Sequence, residues 1–267
     1  MIVLGFDTAT PSTAVGLRLT DDTMLQVRDD PGPEERPGHA TRLLAMAAEL
    51  LAGAGVDWNA LDRIAVGVGP GRFTGLRVGV ATARGLAQSL GVELVGVSSP
   101  RALATAVVWG GSRVAQEGLA DTSNGGARGV IAVIDARRGE VFAAAYVPAD
   151  ASAMDHEPAL PRELTAPRAF APDDLGDVLS DVAATGDQIA RWVAVGDGAV
   201  LYRDELAALG IEVPRDDSPL HWVSGETICA IAASSAAEAI DTVLPDYRRR
   251  PDAEVALEGA APKGASG

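Results

Sequence analysis

Residues 2–29, IVLGFDTATPSTAVGLRLTDDTMLQVRD, decide the fold. Residues 2–7 and 13–19 read as strands joined by the polar turn TATPS, and residues 23–29 repeat the apolar/polar alternation. Three consecutive strands with tight connections make an antiparallel meander. The following DPGPEERPG holds three prolines and two glycines and is a loop by its turn chemistry. Beyond it the period changes: Leu43, Leu44, Ala47, Leu50, Leu51 and Ala54 recur at three- and four-residue spacing, which predicts an amphipathic helix over 40–54. RIAVGVG (63–69) is then a mostly apolar strand, 76–90 a helix after the turn GPGRFTG, and VELVGVSS (92–99) a strand, with Pro100 suited to the first turn of another helix. The order β-β-β-α-β-α-β-α implies a mixed sheet with helices on both faces, an α/β fold.

Residues 110–129 contain six glycines and little apolar periodicity, so a flexible connection is expected there. A second unit starts with the hairpin VIAVIDARRGEVFAAAYV (130–147). A polar, proline-containing stretch runs to about Asp187, followed by a strand at WVAVGDG, a helix at VLYRDELAAL, a short strand IEV and an alanine-rich helix over 224–239. The expected division is an N-terminal lobe over 1–105, completed by the helix within 222–240, and a C-terminal lobe over 106–221. The tail 252–267, rich in alanine and glycine, is expected to be disordered.

With 47% apolar and 22% charged residues in 267, the chain can bury a sizeable core, which excludes general disorder. No run reaches the roughly 18 apolar residues of a membrane span, and the start lacks the features of a signal peptide, so a cytoplasmic protein without membrane contact is expected. A lone Cys229 excludes an internal disulfide and a cysteine zinc site. The net charge of −15 opposes phosphate-driven binding of nucleic acid by the molecule as a whole. YRRRP (247–251) is a local basic cluster that reads more simply as a basic exit segment than as a binding site.

The segment VGVGPGRFTGLRVG (66–79) places Gly67, Gly69, Gly71 and Gly75 where a strand turns into a helix. Such a turn can aim backbone N–H groups at a phosphate. It matches neither GxGxxG nor GxxxxGK[ST], and the competing reading is a tight turn whose Gly75, Gly79 and Ala83 let another helix approach. Asp7, at a strand end before Thr8 and Thr10, either holds Mg²⁺ through water or accepts hydrogen bonds from its own turn. GVSSP departs from a nucleophile elbow at Pro100, and His39, His156 and His221 stand too far apart for a histidine-pair metal motif. His39 reads as a helix-entry residue, and IDARRGEVF as a structural hairpin turn.

FDTAT, HATRLL, GVGPGRFTGLRVG, GVSSPRALA, IDARRGEVF and VAVGDGA together, in this order and spacing, resemble the TsaB (YeaZ) family of the glycoprotease-like group. The resemblance runs from about residue 2 to 248, strongest over the first hundred residues. It implies an actin-like, Hsp70-like ATPase (ASKHA) fold of two lobes, each a mixed sheet flanked by helices. It also implies a non-catalytic scaffold for N6-threonylcarbamoyladenosine (t6A) formation at position 37 of tRNAs reading ANN codons. Such a subunit pairs with and stabilises TsaD, is engaged by TsaE, forms a homodimer when TsaD is missing, and meets tRNA only through the complex. In TsaD, the junction matching GVSSPRAL carries a metal-binding HxxxH; here Ser99 and Leu103 stand in those places, so neither a catalytic nor a metal residue is expected.

The same resemblance makes the two helices the partner interface: His39, Leu43, Leu44, Ala47, Leu50 and Leu51 on the first, then Arg72, Phe73, Thr74, Gly75, Leu76, Gly79, Val80, Ala83, Leu86 and Ala87 on the second. On this expectation Gly79→Leu abolishes pairing and leaves the monomer folded. Asp7, Thr8, Thr10, Gly69 and Gly71 are the candidate nucleotide contacts; no tightly bound cofactor is expected, with ATP or ADP and Mg²⁺ placed at the complex interface. The rival reading is an enzyme, a nucleotide-dependent ATPase or kinase or a peptidase. Two departures from the family pattern are Arg72, where serine is usual, and Arg248, in a leucine position.

Overall fold

The computed structural model describes residues 1–32, 35–110, 128–149, 160–187 and 189–248. The expected connection at 110–129 and the tail at 252–267 lie almost entirely outside the described residues. The meander forms as read: β1 (Val3–Asp7), β2 (Thr13–Arg18) and β3 (Met24–Asp29) pair antiparallel, and β4 (Arg63–Gly69) and β5 (Glu93–Ser98) add in parallel to give the order β3-β2-β1-β4-β5. Helices α1 (His39–Ala54) and α2 (Phe73–Leu90) cover one face. Helix α3 (Ser99–Val108) follows β5 directly, with Ser98 as its N-cap and Pro100 in its first turn.

The second sheet repeats this plan. β6 (Arg128–Arg137) and β7 (Glu140–Val147) form an antiparallel hairpin, β8 (Arg162–Glu163) and β9 (Arg168–Phe170) both pair with β7, and β10 (Arg191–Val195) adds parallel to β6. Its outer face carries α4 (Gly176–Ala183), α5 (Asp197–Leu201) and α6 (Arg203–Ala208). A meander followed by a parallel strand, occurring twice, is the two-lobed actin-like arrangement.

Between the sheets lie α3 and α7 (Gly225–Ala233), whose apolar side chains join the inner faces of both sheets in one continuous core. Strands β1, β4, β6 and β10 are therefore covered on both faces, which explains near-continuous apolar runs such as RIAVGVG where alternation would mark a half-exposed strand. Among the described residues, no helix is long and apolar enough to cross a membrane.

Three sequence expectations change. The alanine-rich helix stops at Ala233: Arg63 donates to the carbonyl oxygens of Ala232 and Ser235, and the Ser235 hydroxyl donates to Ile231 O. The chain then turns back so that the Glu238 N–H donates to Leu94 O and its carboxylate accepts from Gly96 N, adding a bridge at the edge of β5. Alanine propensity yields here to capping and edge pairing. The stretch before Asp187 is also more regular than its prolines suggest, since it contains β8, β9 and α4. The single helix expected at 200–209 is two short ones, α5 and α6, divided at Tyr202.

Candidate functional site

Each lobe places an aspartate where the first strand of its meander ends, and both face the junction between the sheets. At the end of β1, the Ala9 N–H donates to Asp7 Oδ1 at 2.8 Å and the Ser99 hydroxyl donates to Asp7 Oδ2 at 2.6 Å. Asp7 is 1% exposed, and burial pushes its carboxyl above the ordinary range. A Cβ on Gly67 would collide with Asp7 Oδ2, so the strand beside it closes the remaining side.

The glycine-rich segment packs onto the same turn. Thr8 is fully buried, and its hydroxyl donates to Gly75 O at 2.8 Å. A Cβ on Gly75 would strike Thr8 O, one on Gly79 would strike Thr8 Oγ1, and one on Gly71 would strike Ala9 O. The Arg72 N–H donates to Ala9 O at 2.7 Å, and the buried Gly69 lies under the Leu76 side chain. His39 reaches in from α1, its Nδ1 2.9 Å from Thr13 Oγ1. Burial, reinforced by the Arg72 charge, holds its pKa below the usual imidazole value.

These contacts test the place expected for a nucleotide. Both oxygens of Asp7 are engaged, Thr8 points inward, Gly69 is buried, and Gly71 is pressed against Ala9 O. Thr10 and Gly71 are partly exposed. The residues expected to hold ATP or ADP with Mg²⁺ do not fit that role. The glycines serve close approach of one segment to another, the alternative left open by the sequence. Among the described residues no group of three or more His, Cys, Asp or Glu side chains is placed to hold a metal ion.

The second lobe's turn is built differently. At the end of β6, the Arg137 N–H donates to Asp135 Oδ1 at 2.8 Å, and Asp135 Oδ2 faces Arg72 Nη2 at 3.5 Å and Arg137 Nε at 3.5 Å. Asp197, at the start of α5, accepts from the N–H groups of Asp135 and Gly198, both at 3.0 Å. Enclosure, with the neighbouring Asp135 charge adding to it, pushes the Asp197 carboxyl up to about 6. Arg137 and Arg138 adopt φ of 66° and 58°, a conformation uncommon outside glycine, and the turn they form brings Arg137 to Asp135. Behind Asp197, the buried His221 accepts from Gly196 N through Nδ1 at 3.3 Å and donates from Nε2 to Pro214 O at 3.2 Å.

The side chains expected at the partner interface divide between core and surface. His39, Leu43, Ala47 and Leu51 of α1 are buried, as are Gly75, Leu76, Gly79, Val80, Ala83 and Ala87 of α2. These positions cover the outer face of β1 and β4, where Leu4, Phe6, Ile64 and Val66 need covering. The expectation that this ridge awaits a partner is corrected, and so is the prediction that Gly79→Leu spares the monomer. Arg72 points to Asp135 across the junction and away from the helix surface. Leu44 (48% exposed) and Thr74 face outward, with Leu50, Phe73 and Leu86 partly so. Ala45, Ala52, Ala81 and Gly85 are exposed beside them, and a Cβ on Gly85 would meet nothing within 4 Å.

Sequence reasoning missed the pairing of Asp135 with Asp197 and a cluster at the start of α2. There the Arg77 guanidinium lies 3.9 Å over the Phe73 ring and donates from Nε to the Tyr247 hydroxyl at 3.0 Å, while Tyr247 and Phe73 sit 4.9 Å apart. A signal exists for the matching turns of the two lobes, since FDTAT and IDARR each follow an apolar strand and open the turn of a hairpin, but none marks the approach of Asp197 to Asp135.

The family model described as "TsaD: tRNA N6-adenosine threonylcarbamoyltransferase" matches residues 33–263, most of the chain. The TsaB proteins of Escherichia coli and Haemophilus influenzae, each named a tRNA threonylcarbamoyladenosine biosynthesis protein, are similar to it. The first is 34% identical over 146 residues, 55% of either chain, and the second 38% identical over 104 residues, 39% of this chain and 38% of the relative. The chain spans about half the length, or less, of these curated relatives. The solved structure of YeaZ from Pseudomonas aeruginosa, 26% identical, superposes with a TM-score of 0.67 over 92% of this chain and 99% of that one. The motifs, the twofold sheet plan and these matches agree: the chain belongs to the glycoprotease-like family of the TsaD model and, within it, to TsaB (YeaZ).

Proposed function

We propose that this chain is a non-catalytic scaffold subunit for t6A formation on tRNA, acting by pairing with and stabilising the TsaD transferase, with TsaE engaging the pair. The reading rests above all on the β5–α3 junction. Where TsaD carries its metal-binding histidines, this chain has Ser99, whose hydroxyl is committed to Asp7, and Leu103, 1% exposed in the core between the sheets. An aliphatic side chain and an engaged hydroxyl cannot replace two imidazoles as ligands for iron or zinc. The −15 charge suits a subunit that leaves tRNA to its partner.

The surface offered for pairing is the outer face of α1 and α2. Small exposed residues there let helices of a partner approach closely, with Leu44 as an apolar contact. The same face serves a homodimer when TsaD is missing. ATP or ADP with Mg²⁺ belongs to the assembled complex in the cytoplasm and takes no ligand from Asp7 or Thr8.

Co-expression with TsaD of the same organism, followed by an assay of modified tRNA with and without this chain, tests the reading. The expected result is a stable pair, t6A formed only when the chain is present, and no ATP turnover by the chain alone. Undiminished modification without it, or turnover by the isolated chain, contradicts the scaffold role.

A further inference from the structure

The actin-like fold provides a cleft between its lobes for a metal-bound nucleotide, and the groups found there do not fit one. We propose that Arg72 is a built-in counter-ion that ties the two lobes together across this cleft, joining the glycine-rich turn of the first lobe to the carboxylates of the second. The inference is independent of the scaffold reading.

The base of the Arg72 side chain is fixed on the first lobe, because its N–H donates to Ala9 O in the β1–β2 turn. Its guanidinium crosses to Asp135 Oδ2, and the two side chains are 18% and 11% exposed, so solvent screens the pair weakly. Asp135 is itself joined to Asp197 through its backbone N–H, which brings a second carboxylate within reach of the same cation. Two enclosed acids from one lobe need a positive charge nearby. Arg137 supplies part of it from the same hairpin, but its side chain is 63% exposed, so solvent screens its charge more. Arg72 therefore does two things: it lowers the cost of enclosing the acids and fixes the distance between the turns. Removing one partner of an enclosed pair leaves the other uncompensated, which is more costly than removing both.

Hydrogen exchange of the full chain under native conditions tests this, with Arg72→Ala, Asp135→Asn and the double variant. If Arg72 is the tether, either single change lowers protection of the amides in the β6–β7 turn and at the start of α2 by about tenfold or more. Protection in the middle of α1 stays unchanged, and the double variant loses no more than the worse single one. Should Arg72→Ala fail to fold, Arg72→Gln with Asp135→Asn gives the same cycle read from urea midpoints. Unchanged protection at both turns, or losses that simply add, overturns the proposal.

Discussion

The turns at the ends of β1 and β6 are the same device in different settings. In each, a strand-end aspartate accepts the N–H two residues on at 2.8 Å. Their second oxygens differ. Asp7 Oδ2 takes a neutral hydroxyl from Ser99 and is walled in by Gly67, whereas Asp135 Oδ2 faces Arg72 and Arg137. One carboxyl is a buried structural strut with no ion pair among the described residues, and the other belongs to a charge network. The local motif specifies the turn; the partner of the free oxygen specifies whether charge is retained there.

Changes to the walls of the two turns should separate them most. Gly67→Ala should cost more than about 3 kcal/mol, because the new methyl meets a carboxylate that has nowhere to go. Gly198→Ala in the second lobe, whose Cβ would lie 2.9 Å from Val133 Cγ1 and 3.1 Å from Asp135 N, should cost about 1–2 kcal/mol. Equal losses in urea unfolding would erase the contrast. Next comes the second oxygen: Ser99→Ala strands a buried carboxyl and should cost about 2 kcal/mol, while Arg137→Ala, largely exposed, should cost less than about 1 kcal/mol in the same assay.

The pH response sharpens the comparison with opposite signs. Asp197 titrates at about 6 in the fold against 3.8 ordinarily, so the folded chain binds its proton more tightly and stability contributed by this group is lost as pH rises from about 4 through 6. The stability gained by Asp197→Asn over the parent chain should therefore be largest at neutral pH and shrink toward pH 4, measured from thermal midpoints. His39 and His221 behave in reverse. Burial lowers both below the ordinary 6.5, so their contribution falls as pH drops through 6.5. The outer face should show the opposite sign: Gly85→Leu, exposed inside α2, should stabilise the fold by about 0.5–1 kcal/mol through helix propensity, yet block co-purification with TsaD. A heterodimer that survives it would move the interface elsewhere.

The first lobe was largely legible because each of its strands and helices is long, periodic and bounded by turn residues. Periodicity shows which side of a helix is apolar but not what covers it. The sequence suggests more apolar surface on the two helices than one sheet face must hide, but Leu43 and Val80 pack on Leu4, Phe6, Ile64 and Val66 of β1 and β4, and Leu76 is buried too. The spacing of Gly75 and Gly79 suggests the approach of another helix, whereas the group that meets them is Thr8 in the β1–β2 turn of the same chain. The second lobe was harder: β8 and β9 are two and three residues long, and their pairing with β7 rests on backbone bonds that no sequence pattern marks. Asp135 and Asp197 lie 62 residues apart and meet only through the parallel pairing of β6 with β10.

The proposed scaffold role is tested most directly by t6A formation in a reconstituted mixture containing the Asp7→Asn variant, with its folding checked by thermal unfolding. A strut needs the shape and hydrogen bonds of the side chain and not its ionisation, so the rate should match that of the parent chain. A folded variant that loses t6A formation tenfold or more, about 1.4 kcal/mol of barrier, would place Asp7 in the chemistry and contradict the account.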